Sequence, residues 1–138
     1  MNKLLHPLSA LALVTSSCTT SPRDTVGVAA ATTLSPMQLI ASIAAHKGRT
    51  VTVAGYFTYV VDTRALWENE SAHRDAEQLR TGSWDKCITI FPTNGQVRQL
   101  NGRQVHITGK ATVIEKDDIR SLWTCNPVAL EDAVITVQ

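Results

Sequence analysis

One eight-residue motif occurs twice in this chain and constrains its fold more than any other feature. The copies are Gly48–Gly55, with the sequence GRTVTVAG, and Gly102–Gly109, with the sequence GRQVHITG. Apolar residues alternate with other residues in both copies, which predicts a half-buried β-strand that begins at a turn. A glycine inside a strand marks a bend, because the missing Cβ lets the strand curve and lets another backbone approach. Two bent strands, at Gly55 and Gly109, therefore predict a small and strongly coiled barrel.

Three further segments, residues 64–67, 86–91 and 133–137, are rich in apolar and β-branched residues and complete a set of five predicted strands. A helix over residues 36–46 is predicted before the first strand. Its start is indicated by Ser35 as the N-cap, proline at the first helical position and Gln38 three residues after the cap. We expect Met37, Ile40 and Ala44, with Ile43 alongside, to lie on its apolar face.

With these elements the chain resembles an OB-fold, a five-stranded Greek-key barrel. More narrowly, it is similar to small OB-fold domains of exported bacterial proteins. In those domains a helix precedes a Gly-(Lys/Arg)-x-Val-x-Val-x-Gly-Tyr strand, here residues 48–56, and a related strand follows, here residues 102–109. The resemblance covers residues 36–138 and implies a mainly β, OB-fold-like barrel with one N-terminal helix. An OB-fold usually carries a helix between its third and fourth strands. The gap of residues 92–102 is short, so we expect the N-terminal helix to cap the barrel instead.

The N-terminus has the layout of a bacterial export signal. Lys3 supplies a positive charge, residues 4–14 are mostly apolar, and small residues precede Cys18. The apolar run is shorter than the roughly 20 residues that a membrane span requires. A cysteine in this position resembles the lipobox of bacterial lipoproteins, although Thr15 stands where that family usually has leucine. We predict a signal peptide over residues 1–17, lipidation of Cys18, a flexible tether over residues 18–34 and a folded domain over residues 35–138. Removal of Cys18 together with the signal remains the alternative.

The cysteine count agrees with export. The chain has three cysteines, Cys18, Cys87 and Cys125, and an odd number in an exported protein leaves one thiol to explain. If Cys18 carries lipid, Cys87 and Cys125 are left to form a disulfide in the oxidising periplasm. The alternative is two buried free thiols in a cytosolic protein. No C-x-x-C motif or paired-histidine spacing indicates a metal site.

The charges are balanced. The chain has 13 Lys+Arg and 12 Asp+Glu, and loss of the signal leaves 12 of each. Since nucleic-acid binders usually show a basic excess, nucleic acid is a disfavoured partner. The charged stretch of residues 68–80 is expected to form a solvated loop or helix face. A metal site within it is a minor alternative, and its candidate ligands are Glu68, Glu70, His73 and Asp75.

No motif for a nucleophile, a phosphate loop or a cofactor occurs. We therefore predict a non-catalytic binding module without a cofactor, held on the periplasmic side of the cell envelope by its lipid. Its partner would be an envelope protein or a glycan. An oligosaccharide- or oligonucleotide-binding domain is the alternative, and a periplasmic enzyme is a weaker one.

The aromatic residues suggest where a ligand would bind. Strand alternation places Phe57 inside the barrel and Tyr56 and His106 outside it. Because OB-folds bind across their sheet, we predict a ligand surface that includes Tyr56 and His106, with Trp67 nearby. Trp84 and Trp123 are each close to a cysteine in sequence. They are expected to pack around the disulfide, with a stacking platform for a sugar as the alternative.

Overall fold

The computed structural model describes residues 32–79, 83–93, 95 and 97–138. The predicted signal peptide, Cys18 and the predicted tether up to residue 31 lie outside these residues. The described strands are β1 (Thr50–Val60), β2 (Thr63–Trp67), β3 (Cys87–Pro92), β4 (Arg103–Val113) and β5 (Val128–Val137). The helices are α1 (Pro36–Ala41), α2 (Ile43–His46) and α3 (Glu70–Leu79), and short 3₁₀ turns occur at Ser83–Lys86, Val97–Leu100 and Ile119–Trp123.

The strands form a closed barrel in the order β1-β2-β3-β5-β4, with β4 pairing back onto β1. All neighbouring strands are antiparallel except β3 and β5, which run parallel. The sequence-based prediction of a mainly β, OB-fold-like five-stranded barrel is therefore confirmed. None of the helices in the described part of the chain combines the length and the apolar character needed to cross a bilayer.

The barrel interior is filled by alternate residues of the five strands. Phe57 points inward, as predicted, and is fully buried. Each such side chain contributes about 1.5–3 kcal/mol when it is removed from water. The fully buried interior residues are Val53, Phe57, Leu66, Ile88, Ile90, Val105, Ile107 and Leu130.

The two motif glycines lie where another strand approaches closely, as the sequence predicts. A Cβ on Gly55 would collide with the carbonyl oxygen of Trp67 and lie 3.0 Å from Cγ of Leu66. A Cβ on Gly109 would lie 2.8 Å from the carbonyl oxygen of Glu131, at a point where the pairing of β4 with β5 is irregular. Both positions therefore require the small residue that allows the sheet to coil.

The N-terminal helix forms over the predicted residues, with an interruption at Ser42 that divides it into α1 and α2. The Ser35 hydroxyl accepts a hydrogen bond from the Gln38 backbone N–H, and the Ser35 N–H donates to the Gln38 side chain at 2.8 Å. The predicted apolar face is correct in part, since Ile40 and Ile43 pack against the barrel core whereas Met37 and Ala44 are exposed. Leu39, which the prediction did not include, is fully buried. Leu39 packs into the barrel core and so fixes the rotation of the helix.

The connections also differ in detail from expectation. Leu34, which lies in the predicted tether, forms a parallel bridge with Val53 of β1, so regular pairing begins at this residue. The short gap after β3 holds only the 3₁₀ turn Val97–Leu100, as its length suggests. The charged stretch after β2 contains α3, which confirms the helix-face interpretation.

Candidate functional site

The predicted ligand residues do not form one exposed surface. Tyr56 and Trp67 are partners on the outer face of β1 and β2. Trp67 is nevertheless fully buried in a small second core, to which Ala76 of α3 also belongs. The Trp67 ring lies 5.2 Å from that of His73 of α3 and 5.5 Å from that of Trp84. The structure thus corrects the placement of Trp67, because α3 and the following 3₁₀ turn cover this part of the sheet.

Tyr56 and His106 lie on the outer face, as predicted, but in different surroundings. Tyr56 is half-buried, with its ring 6.0 Å from that of His73. His106 is exposed on β4, where its strand partner on β1 is Ala54. A ligand role for these two residues stays a prediction.

Cys87 and Cys125 form the predicted disulfide, with their Cα atoms 5.9 Å apart. The bond ties the start of β3 to the segment before β5, and Cys87 is fully buried in the second core. It fits a compartment outside the reducing cytoplasm. Trp84 packs edge-on against Trp67, while the Trp123 side chain lies outside the part that the structure describes.

Three of the four candidate metal ligands of the charged stretch have other partners, and the first of these, Glu68, accepts a hydrogen bond from the Met37 N–H. His73 Nε2 lies 3.3 Å from a carboxylate oxygen of Glu77, and Glu70 pairs with Arg74 at 3.1 Å. Within the described ranges, no group of three or more His, Cys, Asp or Glu side chains comes together.

A groove that sequence reasoning missed opens at the end of the barrel that carries the β1–β2 hairpin. One depression of about 530 Å³ lies between the hairpin, the end of β3 and the 3₁₀ turn Val97–Leu100. An adjoining depression of about 330 Å³ shares two of its lining residues. Both volumes are in the range of small-molecule sites. We call this double depression the arginine groove and define it by Tyr59, Asp62, Arg64, Phe91, Arg98 and Arg120.

Two guanidinium groups lie over one aromatic ring in this groove. The guanidinium carbon of Arg64 lies 5.2 Å from the centroid of the Tyr59 ring, and that of Arg98 lies 5.4 Å from it. Tyr59 and Arg64 are strand partners in the hairpin, whereas Arg98 comes from the 3₁₀ turn after β3. Each contact stabilises its arginine by about 0.5–2 kcal/mol. The ring therefore helps to position both cations among the residues that line the groove.

These two arginines have no acidic partner in the described part of the chain, where no carboxylate oxygen lies within 4.0 Å of either. Moreover, Nε of Arg64 is buried and has no hydrogen-bond partner among the described residues. Leaving such a donor unsatisfied costs about 1–3 kcal/mol.

The third arginine is neutralised within the protein. Arg120 lies 2.6 Å from a carboxylate oxygen of Asp118 and 2.7 Å from one of Glu131. Hydrogen bonds from the Arg120 side chain, more than any other contact, hold the pKa of Asp118 below its usual value. The Arg120 guanidinium also lies 5.2 Å from the Phe91 ring. The available positive charge of the groove therefore comes from Arg64 and Arg98.

One signal in the sequence could have located the groove. Arg64 has the same strand parity as the inward-facing Leu66, so a charged residue occupies a core position. Charged residues are seldom buried without a partner, which makes such a position informative. Arg98 and Arg120 carry no comparable local signal.

No family model, curated protein or solved structure matches this chain.

Proposed function

We propose that this chain is a non-catalytic binding module that takes an anionic ligand in the arginine groove. The observation that carries the proposal is the pair of guanidinium groups, Arg64 and Arg98, placed over Tyr59 without a carboxylate partner among the described residues. Guanidinium groups bind carboxylate and phosphate oxygens through paired, charge-assisted hydrogen bonds. Because Tyr59 already positions both groups, less side-chain freedom is lost when a ligand binds.

The position of the groove supports the proposal. OB-folds bind ligands across their second and third strands, next to the loops that join strands 1 and 2 and strands 4 and 5. The arginine groove lies at the corresponding place, with Arg64 on β2, Phe91 on β3, Asp62 in the first loop and Arg120 in the second. The neighbouring part of the sheet around Trp67 is covered by α3 and is less accessible to a ligand.

The charge of the groove favours a small anionic group over an oligonucleotide. Arg120 is already paired, and Asp62 contributes a negative charge at the rim. Two available cations suffice for one phosphate or carboxylate group, whereas nucleic acid binding relies on several phosphate contacts. Acidic oligosaccharides remain within the proposal, since Tyr59 and Phe91 offer aromatic faces for sugar rings.

The proposed location is the periplasmic face of the envelope, with the module anchored through lipid on Cys18. Stable anchoring requires more than one acyl chain, as bacterial lipoproteins carry. Mass spectrometry of the mature N-terminus tests this part of the proposal. An unmodified N-terminus downstream of Cys18 would contradict it.

Binding can be tested by NMR titration of the full chain with an acidic oligosaccharide, glycerol phosphate and a neutral oligosaccharide. Arg64→Met combined with Arg98→Met should weaken binding of the acidic ligands by about 10–100-fold, as the loss of hydrogen bonds to a charged group implies. Arg49→Met is the matched control, because Arg49 is exposed and does not line the groove. Unchanged binding in the double variant, or binding of the neutral ligand alone, would refute the proposal.

A further inference from the structure

Exposed apolar side chains occur in two of the loops that contribute residues to the arginine groove. Val61, Leu122 and Ile119 are the most exposed large apolar residues in the described ranges, at 81%, 71% and 69%. Val61 is at the tip of the β1–β2 hairpin, next in sequence to the groove residue Asp62. Ile119 and Leu122 belong to the same 3₁₀ turn as the groove residue Arg120. We call these three side chains, which come from the two loops that flank the groove in sequence, the apolar rim.

The hairpin tip also carries backbone strain. Val61 has a φ of 54°, in the left-handed region, where a β-branched side chain is a rare occupant. This conformation is unfavourable for valine, and strain of this kind gathers at functional sites. Asparagine or glycine would relieve it. Since the Val61 side chain is 81% exposed in the described part of the chain, its burial contributes little to the stability of the fold.

We propose that this end of the barrel docks onto a bilayer of anionic phospholipid. Arg64 and Arg98 bind the phosphate of a headgroup, and Val61, Ile119 and Leu122 enter the interface between headgroups and acyl chains. A soluble anion would engage only the arginines, whereas an anionic membrane offers partners for the arginines and for the apolar rim together. This inference rests on the proposed function, because the same two arginines supply the contact.

The predicted lipid on Cys18 would make this contact intramolecular. A weak affinity then suffices, because the tethered domain meets the surface at a high effective concentration. Docking would fix the orientation of the domain, which a tether alone leaves free. The lipid must be removed from the experiment so that docking is measured by itself.

The test uses residues 18–138 carrying Cys18→Ser, which lack both the predicted lipid and the apolar residues of the predicted signal peptide, and it measures co-sedimentation with vesicles. Vesicles of phosphatidylglycerol with phosphatidylcholine are compared with vesicles of phosphatidylcholine alone. We expect retention on the anionic vesicles only. The rim variant, with Val61→Asn, Ile119→Ser and Leu122→Ser, should lower the partition coefficient by at least tenfold, since each buried aliphatic side chain accounts for roughly that factor.

Two controls make the result specific. Met37→Ser removes another exposed apolar residue near the opposite end of β2, where the Met37 N–H donates to Glu68, and it should leave vesicle binding unchanged. Soluble glycerol phosphate, titrated by NMR, should bind the rim variant as well as it binds the parent chain. Circular dichroism confirms that each variant is folded.

The outcomes separate the two proposals. Binding of glycerol phosphate without binding of vesicles would overturn membrane docking and leave the proposed function intact. Binding of an acidic oligosaccharide without binding of vesicles would likewise overturn membrane docking and leave the proposed function intact. Vesicle binding that survives either the rim variant or the double arginine variant, or that is equal on neutral vesicles, would also overturn docking. Binding of neither vesicles nor any soluble anion would overturn both proposals.

Discussion

Replacing the glycines of the repeated motif by alanine tests how the barrel is closed. At Gly55 the new Cβ would collide with the carbonyl oxygen of Trp67, a backbone atom that cannot rotate away, and would lie 3.0 Å from a side-chain carbon of Leu66. At Gly109 it would lie 2.8 Å from the carbonyl oxygen of Glu131. Overpacking typically costs about 1–3 kcal/mol. We expect the free energy of unfolding to fall by about 3 kcal/mol for Gly55→Ala and by about 2 kcal/mol for Gly109→Ala.

Two other glycines serve as controls for this pair. A Cβ on Gly95 would meet nothing within 4 Å, so Gly95→Ala should change stability by less than about 0.5 kcal/mol. A Cβ on Gly48 would also meet nothing within 4 Å, but its φ of 81° disfavours alanine. Gly48→Ala should therefore cost about 1 kcal/mol through the backbone alone. The four variants separate steric collision from conformational strain.

The measurement is urea-induced unfolding of the full, oxidised chain, followed by tryptophan fluorescence. The unfolding midpoint should shift while the slope m stays constant, since a change in m would indicate a change in compactness. Suppose that the free energies of unfolding of Gly55→Ala and Gly109→Ala lie within about 0.5 kcal/mol of that of Gly95→Ala. The strands then do not approach the two glycines closely enough to exclude a Cβ, and the explanation of the repeated motif is wrong.

Three further predictions concern the disulfide, the second core and one ion pair. Cys87→Ser should lower the free energy of unfolding by about 2–5 kcal/mol, measured in urea, and a smaller loss would show that the bond contributes little. Trp67→Phe should cost about 2 kcal/mol, because the indole N–H donates to the Thr58 hydroxyl at 2.9 Å, yet it should leave affinity for groove ligands unchanged. Arg120→Met should raise the pKa of Asp118 toward its ordinary value in a carboxyl NMR titration, since hydrogen bonds from the arginine side chain are the largest cause of its lowering and only the backbone N–H of residue 120 remains as a donor. A carboxyl group whose pKa is lowered in the folded state adds stability, and this stability is lost as the pH falls through the folded-state pKa. The variant should therefore lose less stability than the parent chain below about pH 4. An unchanged pKa of Asp118 would contradict the argument.

The five-stranded architecture could be predicted from the sequence because features of each strand's own sequence determine it. Alternation of apolar residues sets which face of a strand is buried, and the glycines at positions 55 and 109 indicate where the sheet coils. The exact ends of the strands could be predicted less well. β4 continues to Val113, beyond Gly109, because an irregular pairing with β5 lets the strand bend without ending. The contacts of Ile40 and Ile43 with the core were accessible, but Leu39 was missed because the periodicity of a short helix does not show which residue the barrel core will accept most deeply.

The candidate site was much less predictable. Parity placed Tyr56 and His106 on the outer face of the sheet, where they lie, but it gave no warning that α3 would cover Trp67 beside Tyr56. That helix is strongly charged, and only Ala76 among its described side chains is fully buried, so its sequence resembles that of a solvated helix. The arginine groove combines residues 64, 98 and 120 from three separate segments, and only the folded barrel brings them together.

The strand order has a consequence for how the chain folds. β1 completes its pairing only with β4, about 50 residues further along, and β5 inserts between β3 and β4. Contacts so distant in sequence make folding slow, on the order of milliseconds to seconds. Until residues through Val137 are available, the β1–β2 hairpin and β3 present unpaired edges that can recruit strands of other chains. The barrel therefore has its greatest risk of aggregation during folding, and that risk ends when its last strand is inserted.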